Sequence, residues 1–135
     1  MVREMGDMLR SVLLENGLIV EFFDRSNRYF GNFHRLCIEA CCRVSLTPES
    51  FAGSADPAAE FHAAKAVLGA EVVFSRMLEK MGVAGEALES TREALIDSFV
   101  RSSLPYLDTP TFPQKFIAGE LVRRRQGRQP HWPRL

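Results

Sequence analysis

Cysteine is scarce in this sequence, and long apolar runs are missing from it. The 135 residues include three cysteines, Cys37, Cys41 and Cys42, an odd and crowded set that favours a reducing compartment over a disulfide framework. No segment approaches the roughly 20 apolar residues of a membrane span. The longest apolar run near the N-terminus, Val12 to Leu14, is far shorter than a secretory signal core of about 7 to 15 residues. We therefore expect a cytoplasmic protein that does not enter a membrane.

Net charge is also absent, because 17 basic residues balance 17 acidic ones. With 46% hydrophobic residues, this composition excludes wholesale disorder, and the length suits one domain. The balance hides an asymmetry. Residues 115–135 carry six basic side chains and one acidic, whereas residues 1–114 carry 11 basic and 16 acidic. We predict a single domain over residues 1–125 and a basic, irregular tail over residues 126–135.

The strongest local signal is the pair Asn16-Gly17, which predicts a β-hairpin. A type I′ turn needs positive φ at both central residues, and these two residue types supply it most readily. A two-residue turn pairs Leu13 with Val20. Both faces of the hairpin are then apolar, with one set comprising Leu13, Leu18, Val20 and Phe22 and the other comprising Val12, Leu14, Ile19 and Phe23. If only one face of the sheet packed on the core, the solvent-exposed face would carry polar residues in place of this second set.

A long strand is predicted over residues 33–46, after a turn-rich stretch at residues 25–32. Alternation predicts one buried side, composed of Leu36, Ile38, Ala40, Cys42, Val44 and Leu46. Such a strand is longer than the strands of the hairpin. It must therefore bend at a bulge or pair with something outside the hairpin.

Helices are predicted in the second half of the chain. Asp56 and Pro57 supply an N-cap and a first helical residue, and Gly82 supplies a stop, which predicts a helix of about 25 residues. A second helix spans about residues 85–103 and is ended by Pro105. A third, short helix begins near Pro113.

Strands precede helices, which indicates the α+β class. We predict a three-stranded antiparallel sheet, made of the N-terminal hairpin and the long strand, with the three helices packed on it. The sequence contains neither a Rossmann glycine pattern nor a Walker sequence.

The cysteines and histidines predict no metal site and no cofactor. On a strand, Cys37 and Cys41 share a face about 13 Å apart at roughly 3.3 Å per residue, and Cys42 points the other way. Three thiolates so placed cannot bind one ion without a sharp local bend in the strand. No nucleophile and base stand together in the sequence, so we assign no catalytic residue. An enzyme with a site near the long strand remains an alternative, and its first candidates are His34, Cys37, Glu39, Glu60 and His62.

The C-terminal arginines offer another alternative, binding of anions or nucleic acid. Arginine contacts phosphate bidentately and an aromatic ring can stack on a base, and the segment places Trp132 after Arg123, Arg124, Arg125 and Arg128. Against this interpretation, the acidic body would repel a polyanion. Basic side chains also suit the C-terminus of any helix.

The surplus of apolar surface on the hairpin favours a protein interface over either alternative. We predict a non-catalytic module that forms a homodimer or binds a protein partner through the second face of the hairpin. The predicted interface residues are Val12, Leu14, Ile19, Phe23 and Trp132.

Overall fold

The structure, a computed structural model, describes residues 8–126, with only the backbone described at Tyr29 and Phe30. Within that range the chain forms five strands and three α-helices. The strands are β1 (Met8–Leu13), β2 (Ile19–Asp24), β3 (Asn27–Phe30), β4 (Phe33–Ser45) and β5 (Glu71–Ala84). The helices are α1 (Pro57–Leu68), α2 (Leu88–Leu107) and α3 (Phe112–Arg125), with short 3₁₀ turns at Pro48–Phe51 and Gly85–Ala87.

The strands form one antiparallel sheet around β4. Strand β2 pairs with residues 38–42 of β4 and β3 pairs with residues 33–35, while β5 also pairs with β4. The predicted α+β class is confirmed, but the predicted three-stranded sheet is wrong, because the described residues form five strands. The long strand thus pairs with strands outside the hairpin, which is the second of the two predicted arrangements.

The N-terminal hairpin forms as predicted, but its register differs by one residue. Leu14 donates its N–H to the Leu18 carbonyl (2.8 Å), so the loop has three residues, with Gly17 at φ 92°. Leu13 therefore lies opposite Ile19 rather than Val20. A three-residue loop needs only one residue in the left-handed region, whereas a type I′ turn needs two.

Asn16 explains why the longer loop is preferred. Its side-chain amide donates to the carbonyls of Leu107 (2.8 Å) and Thr109 (3.0 Å), at the end of α2. Its backbone N–H donates to the Asp108 carboxylate (3.1 Å). These hydrogen bonds satisfy backbone carbonyls that the end of a helix leaves without an intrahelical partner. The turn preference of Asn16-Gly17 depends only on neighbouring residues, so it does not take these distant contacts into account.

The long helix predicted from Asp56 to Gly82 is wrong beyond Leu68. The predicted start is confirmed, because Asp56 accepts a hydrogen bond from the Ala59 N–H (3.2 Å) and Pro57 begins α1. Gly69 ends the helix with φ 87°, a conformation that side chains with a Cβ disfavour. The strand β5 begins at Glu71 and contains two adjacent β-branched valines, which favour strands.

Two other boundaries also differ from the prediction. The stretch predicted as turns contains β3, which pairs Asn27 with Arg35 and Arg28 with His34. The second helix passes Pro105 and ends at Leu107. A proline in the last turn of a helix lacks a backbone N–H, but few helical hydrogen bonds follow it. Pro105 therefore does not force the helix to end. The third helix, predicted near Pro113, is confirmed as α3.

The described chain divides into two compact units, with residues 8–42 and 75–109 in unit 1 and residues 43–74 and 110–126 in unit 2. Neither the single domain over residues 1–125 nor the tail over residues 126–135 is tested by this division, and both stay predictions. Residues 127–135 lie outside the described residues.

Unit 1 packs α2 against one side of its strands, here called the inner face. Phe22 is fully buried there, and its ring meets Phe99 of α2 edge to face at 5.7 Å. Arg10, on the same side of β1, donates to Glu93 (2.7 Å) and Asp97 (3.0 Å) of that helix. The buried side of β4 is confirmed, since all six predicted residues are at most 7% exposed.

Unit 2 has its own aromatic core. Phe74 lies 6.0 Å from the Phe112 ring and 5.9 Å from the Phe116 ring, and the latter two rings stack at 5.6 Å. Arg124 of α3 also donates to the Val67 carbonyl of α1 (3.1 Å). The residues of this unit with buried apolar side chains are Val44, Leu46, Ala64, Leu68, Val72, Phe112, Ile117 and Leu121.

Candidate functional site

The side of the unit 1 sheet opposite α2, here called the outer face, carries an unusual number of exposed apolar side chains. The pairing registers and strand alternation place on it Met8, Leu13, Ile19, Phe33, Met77 and Met81. These six side chains are between 45% and 72% exposed. Within the described residues, α2 is the only α-helix of unit 1, and it packs on the inner face.

The hairpin end of the outer face presents a cross-strand apolar pair. Leu13 and Ile19 lie directly opposite each other and are 72% and 45% exposed. Opposite residues in an antiparallel ladder point to the same side and touch. The one-residue register difference thus moves Leu13 to the outer face and places Val12 and Leu14 on the inner face.

The other end of the outer face is rich in methionine. Arg35 pairs with Glu79, and Glu39 accepts a hydrogen bond from Ser75 (3.0 Å). These two contacts set the register of β5 against β4. In that register Cys37 lies opposite Met77, and their sulfur atoms are 3.7 Å apart.

The same register places Phe33 opposite Met81. Methionine side chains are flexible and polarisable, and they adapt to partner surfaces of varied shape. This end of the outer face therefore combines an aromatic ring with two half-exposed methionines.

A polar band separates the two apolar ends. Arg25 donates from Nε to Glu39 (3.0 Å) and lies over the Phe23 ring at 5.2 Å. Burial alone would raise the pKa of Glu39, but hydrogen bonds from Ser75, Cys41 and Arg25 outweigh it and lower the pKa. The carboxylate is therefore held ionised and paired, which does not suit a general base.

The three thiols are poor nucleophiles. Burial raises the pKa of Cys41 to about 11, helped by the hydrogen bond to Glu39. Burial, with the nearby Glu21 carboxylate, also raises the pKa of Cys42 to about 11. The pKa of Cys37 is raised as well, mainly by burial. A reactive cysteine needs the opposite shift.

This geometry predicts slow alkylation of the folded protein. A pKa near 11 instead of 9.0 lowers the thiolate fraction at pH 8 by roughly a hundredfold. We expect iodoacetamide to modify all three thiols more slowly in the native protein than in urea, with rates rising towards pH 11. A thiol that reacts at pH 8 as fast in the native protein as in urea would refute this assignment.

The residues named for a possible active site belong to both units. His34 lies on the inner side of β4, whereas Cys37 and Glu39 lie on its outer side. Glu60 and His62 belong to α1, where His62 is exposed beside the Phe61 ring. Among residues 8–126, no three His, Cys, Asp or Glu side chains are grouped as a metal ion requires.

The predicted anion-binding residues fall only partly in the described chain. Arg123 pairs with Glu120, and Arg124 donates to the Val67 carbonyl. Arg125 is exposed at the end of α3, whereas Arg128 lies outside the described residues. Anion binding through this segment stays a prediction.

The predicted interface residues divide between the two faces. Ile19 and Phe23 lie on the outer face, whereas Leu14 is 5% exposed and Val12 half-buried on the inner face. Trp132 lies outside the described residues. Assigning Val12 and Leu14 to the same face as Ile19 is therefore wrong, because it rests on the two-residue turn.

Sequence reasoning missed Met77 and Met81, because it placed both in a helix. The signal that could have found them is the alternation of Ser75, Met77, Glu79 and Met81 after two β-branched residues.

The comparisons supply no relative. The chain matches no protein family, and no curated protein or solved structure matches it. In the described part of the chain, no helix has the length and apolar character needed to cross a lipid bilayer.

Proposed function

We propose that this protein is a non-catalytic module that associates with a second copy of itself through the outer face. The observation that carries this proposal is the set of six large apolar side chains, each at least 45% exposed, on one face of one sheet. Isolated apolar residues on a surface need no explanation, but a set gathered on one face is typical of an interaction site.

The charges on the outer face favour a second copy as the partner. Arg25 is paired with Glu39, and Arg35 is paired with Glu79. Because these charges are matched within one chain, two copies of the face meet without strong like-charge repulsion.

The chemistry of the unit supports a non-catalytic role. Its thiols have raised pKa values, its central carboxylate Glu39 is paired, and His34 lies on the opposite side of the sheet from Glu39. These features favour a surface that binds through apolar contact over a site that transfers protons.

Oxidation of methionine tests this proposal at the surface itself. Met8 and Met81 are 52% and 56% exposed in a single chain, and oxidation requires access to the sulfur. We expect dilute peroxide to oxidise both residues several-fold more slowly at high micromolar than at low micromolar protein. Peptide mass spectrometry measures each rate, and rates independent of protein concentration would contradict the proposal.

A further inference from the structure

Asn16 attaches the hairpin loop to the end of α2 through a set of hydrogen bonds here called the latch. Its side-chain Nδ2 donates to the carbonyls of Leu107 (2.8 Å) and Thr109 (3.0 Å). Its backbone N–H donates to the Asp108 carboxylate (3.1 Å). The three acceptors belong to consecutive residues, so the latch is one compact contact within unit 1. It forms only while Asn16 supplies the donors.

The residue that follows Asn16 makes its side chain labile. An asparagine deamidates when the backbone nitrogen of the next residue attacks its side-chain carbonyl carbon. Glycine hinders this attack least, because it has no side chain and a freely rotating backbone. Asn16 precedes Gly17, whereas the other two asparagines, Asn27 and Asn32, precede an arginine and a phenylalanine. In the unfolded chain, Asn16 is therefore the asparagine that deamidates first.

Deamidation of Asn16 needs only water as a co-reactant. The Gly17 nitrogen bonds to the Asn16 Cγ, the Cγ–Nδ2 bond breaks, and ammonia leaves with the proton of the Gly17 N–H. Water then opens the resulting succinimide ring to aspartate or isoaspartate, according to which ring carbonyl it attacks. The net change converts an amide and water into a carboxylic acid and ammonia, and nothing is oxidised or reduced.

In the native loop, hydrogen bonds hold both reacting groups. The Gly17 N–H donates to the Leu14 carbonyl (3.0 Å). The Asn16 Oδ1 accepts from the Leu18 N–H (3.1 Å), and Nδ2 is held by the latch. Ring closure requires the Gly17 nitrogen to approach Cγ in an aligned geometry, so these hydrogen bonds must break first. The closed latch therefore protects Asn16, and its opening exposes the side chain to attack.

Deamidation reverses the chemistry of the latch. The Nδ2 group is a donor, whereas a carboxylate only accepts hydrogen bonds. The new negative charge faces the Leu107 and Thr109 carbonyls and the Asp108 carboxylate. These groups lie at the C-terminal end of α2, where the helix dipole opposes a negative charge. Two hydrogen bonds are thus replaced by electrostatic repulsion.

We propose that Asn16 is a deamidation site guarded by the fold, and that its conversion to a carboxylate releases the hairpin loop from α2 irreversibly. The release runs in one direction, because a carboxylate and ammonia do not re-form the amide in dilute aqueous solution. A molecule whose latch has stayed open is thereby marked at one residue. The latch acts within one chain, so it does not depend on the outer-face association.

Peptide mass spectrometry of the full chain tests the protection. The protein is kept at mildly alkaline pH with and without urea, and the conversion of each asparagine is followed. We expect Asn16 to deamidate at least about tenfold more slowly in the native protein than in urea, because the native rate scales with the open fraction of the loop. Asn27 and Asn32 are internal controls, and both should convert more slowly than Asn16 in urea. Equal rates for Asn16 in the two conditions would overturn the proposal.

Asp108→Ala tests whether the latch supplies the protection. It removes the acceptor of the Asn16 N–H, so Asn16 should deamidate several-fold faster in this variant without urea than in the unmodified protein. Ser102→Ala is the matched control, because Ser102 is exposed on the same helix and its hydroxyl donates to the Ser98 carbonyl within that helix. If the two variants deamidate at the same rate, the latch does not protect Asn16.

Asn16→Asp tests the release and does not depend on the deamidation rate. Measured by NMR, hydrogen exchange should show the protection factor of the backbone N–H of residue 16 falling at least about tenfold. Adding Asp108→Asn removes the like charge and supplies a side-chain donor, so it should restore part of the protection. Native protection in the Asn16→Asp variant would refute the release, as would a double variant that exchanges as fast as the single one.

Discussion

Replacing Phe22 with alanine will lower the free energy of unfolding by about 3 to 5 kcal/mol, the usual cost of removing a buried aromatic side chain. Phe22 is fully buried at the centre of the inner face, and its ring packs edge to face on Phe99 of α2 at 5.7 Å. The substitution therefore removes both the apolar burial and the aromatic contact. Because domains are stable by only about 5 to 15 kcal/mol in total, urea denaturation should show a large loss.

Phe33→Ala is the matched control for this prediction. It deletes the same atoms from a side chain that is 45% exposed on the outer face. Measured at low protein concentration, it should cost about 1 kcal/mol or less, as surface substitutions do. Equal losses for the two variants would mean that α2 does not cover the inner face as described.

The second large effect concerns self-association. Leu13→Lys combined with Ile19→Glu should raise the dissociation constant of the outer-face contact by roughly a hundredfold, or about 3 kcal/mol. Both side chains are exposed in a single chain, so their replacement affects the assembly more than the fold. The charges must lose their water when the two faces meet, and that cost opposes association.

The variant is designed to keep the hairpin intact. Leu13 and Ile19 lie opposite each other, so the new lysine and glutamate form a cross-strand pair of opposite charge. Val122→Glu is the control, since it replaces a 55% exposed apolar residue on α3 in unit 2. If sedimentation of the hairpin variant and the control gives the same association constant, the outer face is not the contact.

Local patterns predicted much of unit 1. The alternation of β4 identified every buried residue on its inner side, because apolar residues recur at every second position in a strand with one solvent-exposed face. The Asn16-Gly17 pair located the hairpin, and Asp56-Pro57 located the start of α1. In each case the signal lies within a few residues of the feature that it predicts.

The remaining features depend on contacts that are distant in sequence. The hairpin register follows from Asn16 binding the end of α2, more than 90 residues away. The chain changes from α1 to β5 because Gly69 ends the helix. Gly69 is a single residue in a region whose apolar spacing also fits a continuous helix. Strand β5 then gains its backbone partners from β4, and tertiary pairing of this kind overrides local propensity.

These two errors together explain why the candidate surface was only partly predicted. The incorrect hairpin register assigned Val12 and Leu14 to the outer face in place of Leu13. The predicted long helix included Met77 and Met81, so neither residue was assigned to the sheet. Ile19 and Phe23 were assigned to the correct side. Of the six exposed apolar side chains on the outer face, only Ile19 was among the predicted interface residues.

Sedimentation equilibrium of the unmodified chain, from low to high micromolar concentration, tests the outer-face contact most directly. We expect a weight-average mass that rises with concentration above the 15.2 kDa of one chain. The mass of the Leu13→Lys and Ile19→Glu variant should rise less at every concentration, while that of the Val122→Glu control follows the unmodified protein. A mass fixed at that of one chain up to high micromolar concentration would refute self-association through the outer face.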